Sequence, residues 1–163
     1  MTSLTPSPAD LSATQARALI ARRALSSTEL AEACIARVEA VDHAVNAVVA
    51  RDFDAMLEGA KAADQALAQG AALGPLNGLP FAVKDMIDVA GLPTTFGSEL
   101  FAGNIAKGDD PIVAAMRRAG GLPLGKTNNP EWSAGGNTRN RVYGATANPY
   151  DLTRTCAGSS GRS

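Results

Sequence analysis

Between residues 10 and 70 the apolar positions fall three and four apart, the spacing that draws one apolar stripe along a helix. Three helices are expected there, forming a helical layer. Ser12-Ala-Thr-Gln15 has the form of a capping box, in which a serine hydroxyl and a glutamine side chain satisfy backbone N–H groups at a helix start. Ala16, Leu19 and Ile20 follow at helical spacing, so a first helix should run to about Arg23. Ser26-Ser-Thr-Glu29 repeats the device and opens a second helix whose inner stripe reads Leu30, Cys34, Val38 and Val41. A third helix should begin near Asp52, turn Phe53, Met56, Leu57, Ala60 and Leu67 inward, and stop at Gly70. His43, the sole histidine, should lie just after the second helix, near the negative end of its dipole, and reads as structural. Residues 1–9, with Pro6 and Pro8, read as a loose lead-in.

At Gly74-Pro75 the pattern changes: proline and glycine become frequent and short apolar runs replace the long periodic ones, so the sheet is expected to start here. Leu79 to Val83 has the length and bracketing of a buried strand, and Lys84 stands at its end. An ammonium loses pKa as it loses solvent, so a lysine held rigidly at a strand end can serve as a general base near neutral pH. The plainer reading is a lysine that reaches to water and keeps the edge soluble. Asp85 and Asp88 flank Lys84 and read as neutralising it, and Thr94-Thr-Phe-Gly-Ser98 is a polar loop that could face a substrate. Asp110 as N-cap and Pro111 in the first turn predict another helix, with Ile112, Val113 and Met116 inward and Gly120-Gly121 at its end. Leu122 to Leu124 reads as the next strand. Strand, helix and strand in this order suggest a crossover unit, and hence an α/β fold. Residues 74–163 would then be the first part of a mixed, largely parallel sheet with helices, within one domain.

Composition narrows the partners. A net charge of -1 does not suggest a nucleic-acid-binding surface or an acidic tail. Aromatics at 4%, beside abundant alanine and glycine, point to close helix packing more than to an all-β core. Cys34 and Cys156 have neither metal-site nor redox spacing, and Cys34 lies on an apolar helix face. The amino terminus lacks the basic-then-apolar pattern of a secretory leader, and no apolar run reaches membrane-spanning length. A cytoplasmic protein, with neither membrane nor nucleic acid as partner, is expected.

Gly120 to Thr127 matches the phosphate-loop pattern G-x-x-x-x-G-K-[ST] letter for letter. A working phosphate loop follows a strand and opens a helix, however, whereas here a helix precedes and Leu122 to Leu124 reads as a strand itself. Lys126 is therefore expected to end a strand beside the same cleft as Lys84. Trp132, the sole tryptophan, reads as a packing anchor more than a substrate platform. The carboxyl end, Thr155-Cys-Ala-Gly-Ser-Ser-Gly-Arg-Ser163, is dense in small residues that permit unusual backbone geometry and close approach to a ligand. The same composition also makes flexible linkers.

Taken together, GLPFAVKD, TTFGS, DDPIVAAMRRAGGLPLGKTN, NTRNRVYGATANPYD and AGSSG resemble the amidase signature family of serine hydrolases, from about residue 10 to the last residue. The resemblance implies that Lys84 is the general base and that Ser159 is the bridging serine, held by a cis peptide to Gly158 and passing a proton between Lys84 and a nucleophile. Ser160 and Gly161 would shape the same loop. It also implies a Ser-cisSer-Lys triad that hydrolyses carboxylic amides through an acyl-enzyme, with no metal or organic cofactor. The family's nucleophilic serine and its oxyanion donors belong to a second glycine-serine motif that these residues do not include. Arg162 stands where glycine is expected, Cys156 and Ala157 depart more mildly, and Ser163 matches the serine ending the first motif rather than the nucleophile. The expectation is the amino-terminal portion of an amidase, inactive alone, with a small-molecule amide as substrate and a homodimer or a complementing carboxyl-terminal fragment as partner. Two other readings stay open: part of the A-type subunit of a glutamyl-tRNA(Gln) amidotransferase, or a non-catalytic binding or assembly module.

Overall fold

Ser12 and Ser26 start helices as their capping boxes require, each hydroxyl accepting from the backbone N–H three residues on while Gln15 and Glu29 reach back to the cap. The computed structural model describes residues 7–158. Helix α1 spans Ala13–Ala21, α2 Ser27–Val45 and α3 Phe53–Ala68, the last capped by Asp52. Gly70, just past α3, takes φ 86°. Ala16, Ile20, Leu30 and Leu79 form one buried cluster, and Ala31, Ile35, Met56, Ala60 and Leu122 a second. The inner face of α2 thus differs from the expected stripe. Val41 is 45% exposed and its neighbour Asp42 is buried instead. His43 lies within the last turn of α2, not beyond it, and is exposed.

Asp42 explains the burial of a charge at this point. Its carboxylate accepts from the backbone N–H groups of Ala47 (2.7 Å) and Val48 (3.1 Å), and it pairs with the Arg51 guanidinium. These contacts shape the turn into a strand that the sequence pattern did not indicate. Strand β1, Val48–Arg51, precedes Gly74, so the sheet begins earlier than expected. Four residues between two strongly periodic helices are too few to show an alternation of their own.

Strand β2 spans Pro80–Lys84, helix α4 Pro111–Arg118 and strand β3 Leu122–Thr127, with Asp110 capping α4. The sheet order is β1-β3-β2: β2 and β3 are parallel, as a strand-helix-strand crossover requires, and β1 is antiparallel to β3. Val83, Val89, Leu92 and Val113 form the cluster under this crossover. Ile112 lies outside it at 56% exposure, so the inner face of α4 rests on Val113. Four short strands follow in two antiparallel pairs: β4 (Arg139–Asn140) with β5 (Gly144–Ala145), and β6 (Ala147–Asn148) with β7 (Asp151–Thr155). A polar seam ties them to the body. Asn46, left-handed at the end of α2, donates to the Tyr143 and Ala145 carbonyls, and its own carbonyl accepts from Thr146 Oγ1 at 2.6 Å.

The glycines of the phosphate-loop pattern have structural tasks. Gly120 ends α4 at φ 93°, and a Cβ on Gly125 would stand 2.5 Å from the Ala50 carbonyl oxygen of β1. The order is helix then strand, the reverse of a phosphate loop.

The start of α2 carries a second carboxylate cap from outside the helix. Asp64 of α3 accepts from the N–H groups of Ser27 (2.7 Å) and Thr28 (3.0 Å) and from Thr28 Oγ1 (2.6 Å). Partial burial pushes its pKa up, but the hydrogen bonds from Thr28 and Ser27 outweigh this and hold it below the ordinary value. A carboxylate with a lowered folded-state pKa stabilises above its unfolded pKa, and that contribution is lost as pH falls through the folded one. Asp64→Ala should therefore cost about 1–2 kcal/mol at neutral pH. In urea melts its deficit against the parent should shrink as pH is lowered through the acid range below 4.

Candidate active site

The expected base and the expected relay stand differently. Lys84 is the last residue of β2, partly buried, and pairs in register with Thr127 at the end of β3. Burial lowers its pKa from the ordinary lysine value. Ser159 lies outside the described residues, as do Ser160, Gly161, Arg162 and Ser163.

The backbone around Lys84 is closed on both sides. Its carbonyl accepts from the N–H groups of Met86 (2.7 Å) and Ile87 (3.0 Å), turning the chain sharply after the strand. The Asp85 N–H donates to the Thr127 carbonyl at 3.0 Å, carrying the ladder one residue past the lysine.

Asp85 does not stand where the flanking-charge reading put it. Its side chain is fully buried and takes hydrogen bonds from Thr95 N–H (2.9 Å), Thr95 Oγ1 and Gly97 N–H (3.4 Å). Its charge partner is Lys126, whose Nζ is 3.6 Å from Oδ1. Asp88, the other flanking carboxylate, is exposed. Lys126 does not reach the cleft beside Lys84. It is fully buried and donates to the Pro93 carbonyl (2.7 Å) and Thr94 Oγ1 (2.9 Å). In register it pairs with Val83 while Thr127 pairs with Lys84, so the two lysines leave opposite faces of the sheet. Burial pulls the Lys126 ammonium below its ordinary pKa, against the opposing pull of Asp85 and Asp88. Tyr143 packs near this network; burial and the Asp85 charge raise its pKa, and a hydrogen bond with Thr95 lowers it.

The polar loop at residues 94–98 therefore spends its side chains inward. Thr94, Thr95 and Ser98 are all buried, and Ser98 Oγ donates to Glu131 Oε1 at 2.7 Å. Phe96 takes φ 55° and Trp132 φ 52°, and their rings stack at 5.2 Å with Phe101 edge-on to both. Trp132 is thus a packing anchor, though 47% of it remains exposed.

The segment that leads to Ser159 is tied to the end of β3, the strand end that pairs with Lys84. Asn128, next to Thr127, donates to Thr146 Oγ1 at 3.0 Å, and the Thr146 carbonyl accepts from the Cys156 N–H at 3.2 Å. Gly158 is held twice: its N–H donates to the Gly136 carbonyl (2.7 Å), and its carbonyl accepts from buried Thr138 Oγ1 (3.0 Å). Sequence reasoning missed Thr138 and the Asp85–Lys126 pair. Lys126 reads from sequence as the end of a strand facing the Lys84 cleft, with nothing to show Asp85 as its partner, and nothing local marks Thr138. Among the described residues no cluster of His, Cys, Asp and Glu could hold a metal, and no helix is long and apolar enough to cross a membrane.

An acylamidase from Rhodococcus erythropolis is 47% identical over 150 residues, which are 92% of this chain but 31% of that protein. The A-type subunit of a glutamyl-tRNA(Gln) amidotransferase from Acidothermus cellulolyticus is 44% identical over 151 residues, 93% of this chain and 30% of its own length. The fold is similar to that of a bacterial aryl acylamidase of the amidase signature enzymes, with TM-score 0.86 and 33% identity over 93% of this chain and 32% of that one. The chain thus spans about a third of the length of the proteins it matches. The Amidase family model matches residues 29–163, and the chain belongs to that family.

Proposed function

We propose that this chain supplies the general base and the bridging serine of an amide hydrolase, Lys84 being the base and Ser159 the relay. The nucleophilic serine comes from a second glycine-serine motif outside these 163 residues. The observation that carries the reading is Lys84 itself, a partly desolvated lysine at the end of a strand whose next residue is locked by the Asp85 hydrogen bonds. A serine hydroxyl is a weak nucleophile until a base takes its proton. Neutral Lys84 accepts that proton through Ser159, the nucleophile attacks the amide carbonyl, and the protonated base then returns a proton to the departing ammonia or amine. Water completes the cycle by hydrolysing the acyl-serine to the acid. The substrate is a small carboxylic amide, the relevant partner is a polypeptide bearing the remaining motif, and two unpaired cysteines fit the cytoplasm.

The test is a chimera in which this chain replaces the matching third of the Rhodococcus erythropolis acylamidase. We expect it to hydrolyse simple amides and the 163-residue chain alone to release no product. Turnover by the isolated chain, abolished by Lys84→Ala, would overturn the assignment of the nucleophile elsewhere. The 44% identity to an amidotransferase component favours a second reading, in which the amide is that of glutamine. Ammonia release from glutamine, but not from simple amides, by the gene product carrying both motifs would select it.

A further inference from the structure

We propose that Lys126 is a positioning residue: its buried ammonium clamps the loop at residues 93–97 onto the end of β2 and so fixes the backbone from which Lys84 projects. The inference rests on the reading of Lys84 as the base. Three acceptors from three chain positions converge on Lys126 Nζ: the Pro93 carbonyl, Thr94 Oγ1 and the Asp85 carboxylate. Asp85 is the residue after Lys84, and it holds the far side of the same loop through Thr95 and Gly97. The loop closes back on this segment, with the Phe96 N–H donating to the Asp85 carbonyl at 3.1 Å. Lys126 sits on β3 one register step from the residue that pairs with Lys84. An apolar side chain there would leave the Asp85 carboxylate buried without its cation, and that is costly wherever water cannot enter. The arrangement explains why a lysine occupies this strand position when the phosphate-loop order is reversed.

The readout is Lys84 rather than overall stability. In the 163-residue chain labelled with 13C at lysine, the Cε shifts of Lys61, Lys84, Lys107 and Lys126 can be followed against pH and assigned by single Lys→Arg changes. Thr94→Val removes one acceptor from Lys126 without changing charge, so it separates placement from simple electrostatics. With Thr94→Val, the Lys84 midpoint should move up by about 0.3 pH units or more, towards the ordinary lysine value. Amide exchange at Asp85 and Phe96 should quicken about tenfold or more. Lys126→Met should act in the same direction and further. Removing a nearby positive charge also raises a lysine pKa, so only its exchange rates are decisive. Where Lys126→Met fails to fold, Thr94→Val decides alone. A smaller move of the Lys84 midpoint in Thr94→Val, or unchanged exchange at both amides, overturns the proposal. The reading of Lys84 as base fails separately, on the chimera, if Lys84→Ala leaves hydrolysis intact.

Discussion

Asp85→Ala is expected to cost about 3–5 kcal/mol, because it leaves the Lys126 ammonium buried without its counter-ion. Domains of this kind are stable by only about 5–15 kcal/mol, so most of the margin goes. The loss has several components at one point: the Thr95 N–H and Thr95 hydroxyl lose their acceptor together with the cation, while Gly97 N–H keeps only its bond to Thr95 Oγ1 at 3.1 Å. Each buried donor left unmatched carries a desolvation cost of about 1–3 kcal/mol, offset where the loop can open to water. Asp85→Asn keeps the shape and one acceptor oxygen but replaces the other with an NH2 donor and removes the charge, so it should fall between the parent and the alanine variant. Asp88→Ala tests the alternative that either flanking carboxylate matters, since Asp88 is exposed. It should change stability by no more than about 0.5 kcal/mol. Urea melts followed through Trp132 fluorescence measure all three, and equal losses for Asp85→Ala and Asp88→Ala would contradict the structure's distinction between them.

The second large effect is catalytic. In the chimera, Lys84→Ala should lower kcat by about a thousandfold or more, the scale for removing a positioned general base. It should leave the melting temperature nearly unchanged, because Lys84 is only partly buried. The plainer role, a strand-end lysine that keeps the edge soluble, makes the opposite prediction: unchanged kcat and poorer solubility. The pH profile adds a sign. The base works when neutral, so kcat/KM should rise with pH through the Lys84 pKa and then level off. Because burial lowers that pKa, the rise should come below the range of an exposed lysine. A rise centred at the ordinary lysine value would show that the site does not desolvate Lys84.

The helices were legible because their information is local. Ser12, Ser26 and Asp110 cap the helices they were expected to cap, Asp52 caps the helix expected to begin near it, and each does so through residues no more than three positions away. The crossover from Lys84 to β3 was legible for the same reason, with Pro111 and Gly120 marking the helix between the strands. What failed depended on distant partners. Val41 and Ile112 have the right spacing to be buried, but whether a stripe is covered depends on what packs against it. Strand β1 is defined by Asp42, which pairs with its Arg51, and by β3, rather than by any alternation among its own four residues. The same holds at the site. Lys84 stands out from its bracketing alone, whereas the match between Asp85 and Lys126 requires knowing that two strands run side by side. Thr138 matters only because Gly158 returns to it from twenty residues away.

Strand β3 lies between β1 and β2, yet it is the last of the three in the chain. A ribosome therefore delivers four α-helices and two strands before the strand that joins them, and neither strand has its full sheet neighbour until Thr127 has emerged. Until then Ala31, Ile35, Met56 and Ala60 also await Leu122, their cover in the finished core. The nascent chain must keep these apolar positions from wrong partners over the intervening synthesis, a demand that falls on chaperones or on transient helix–helix contacts.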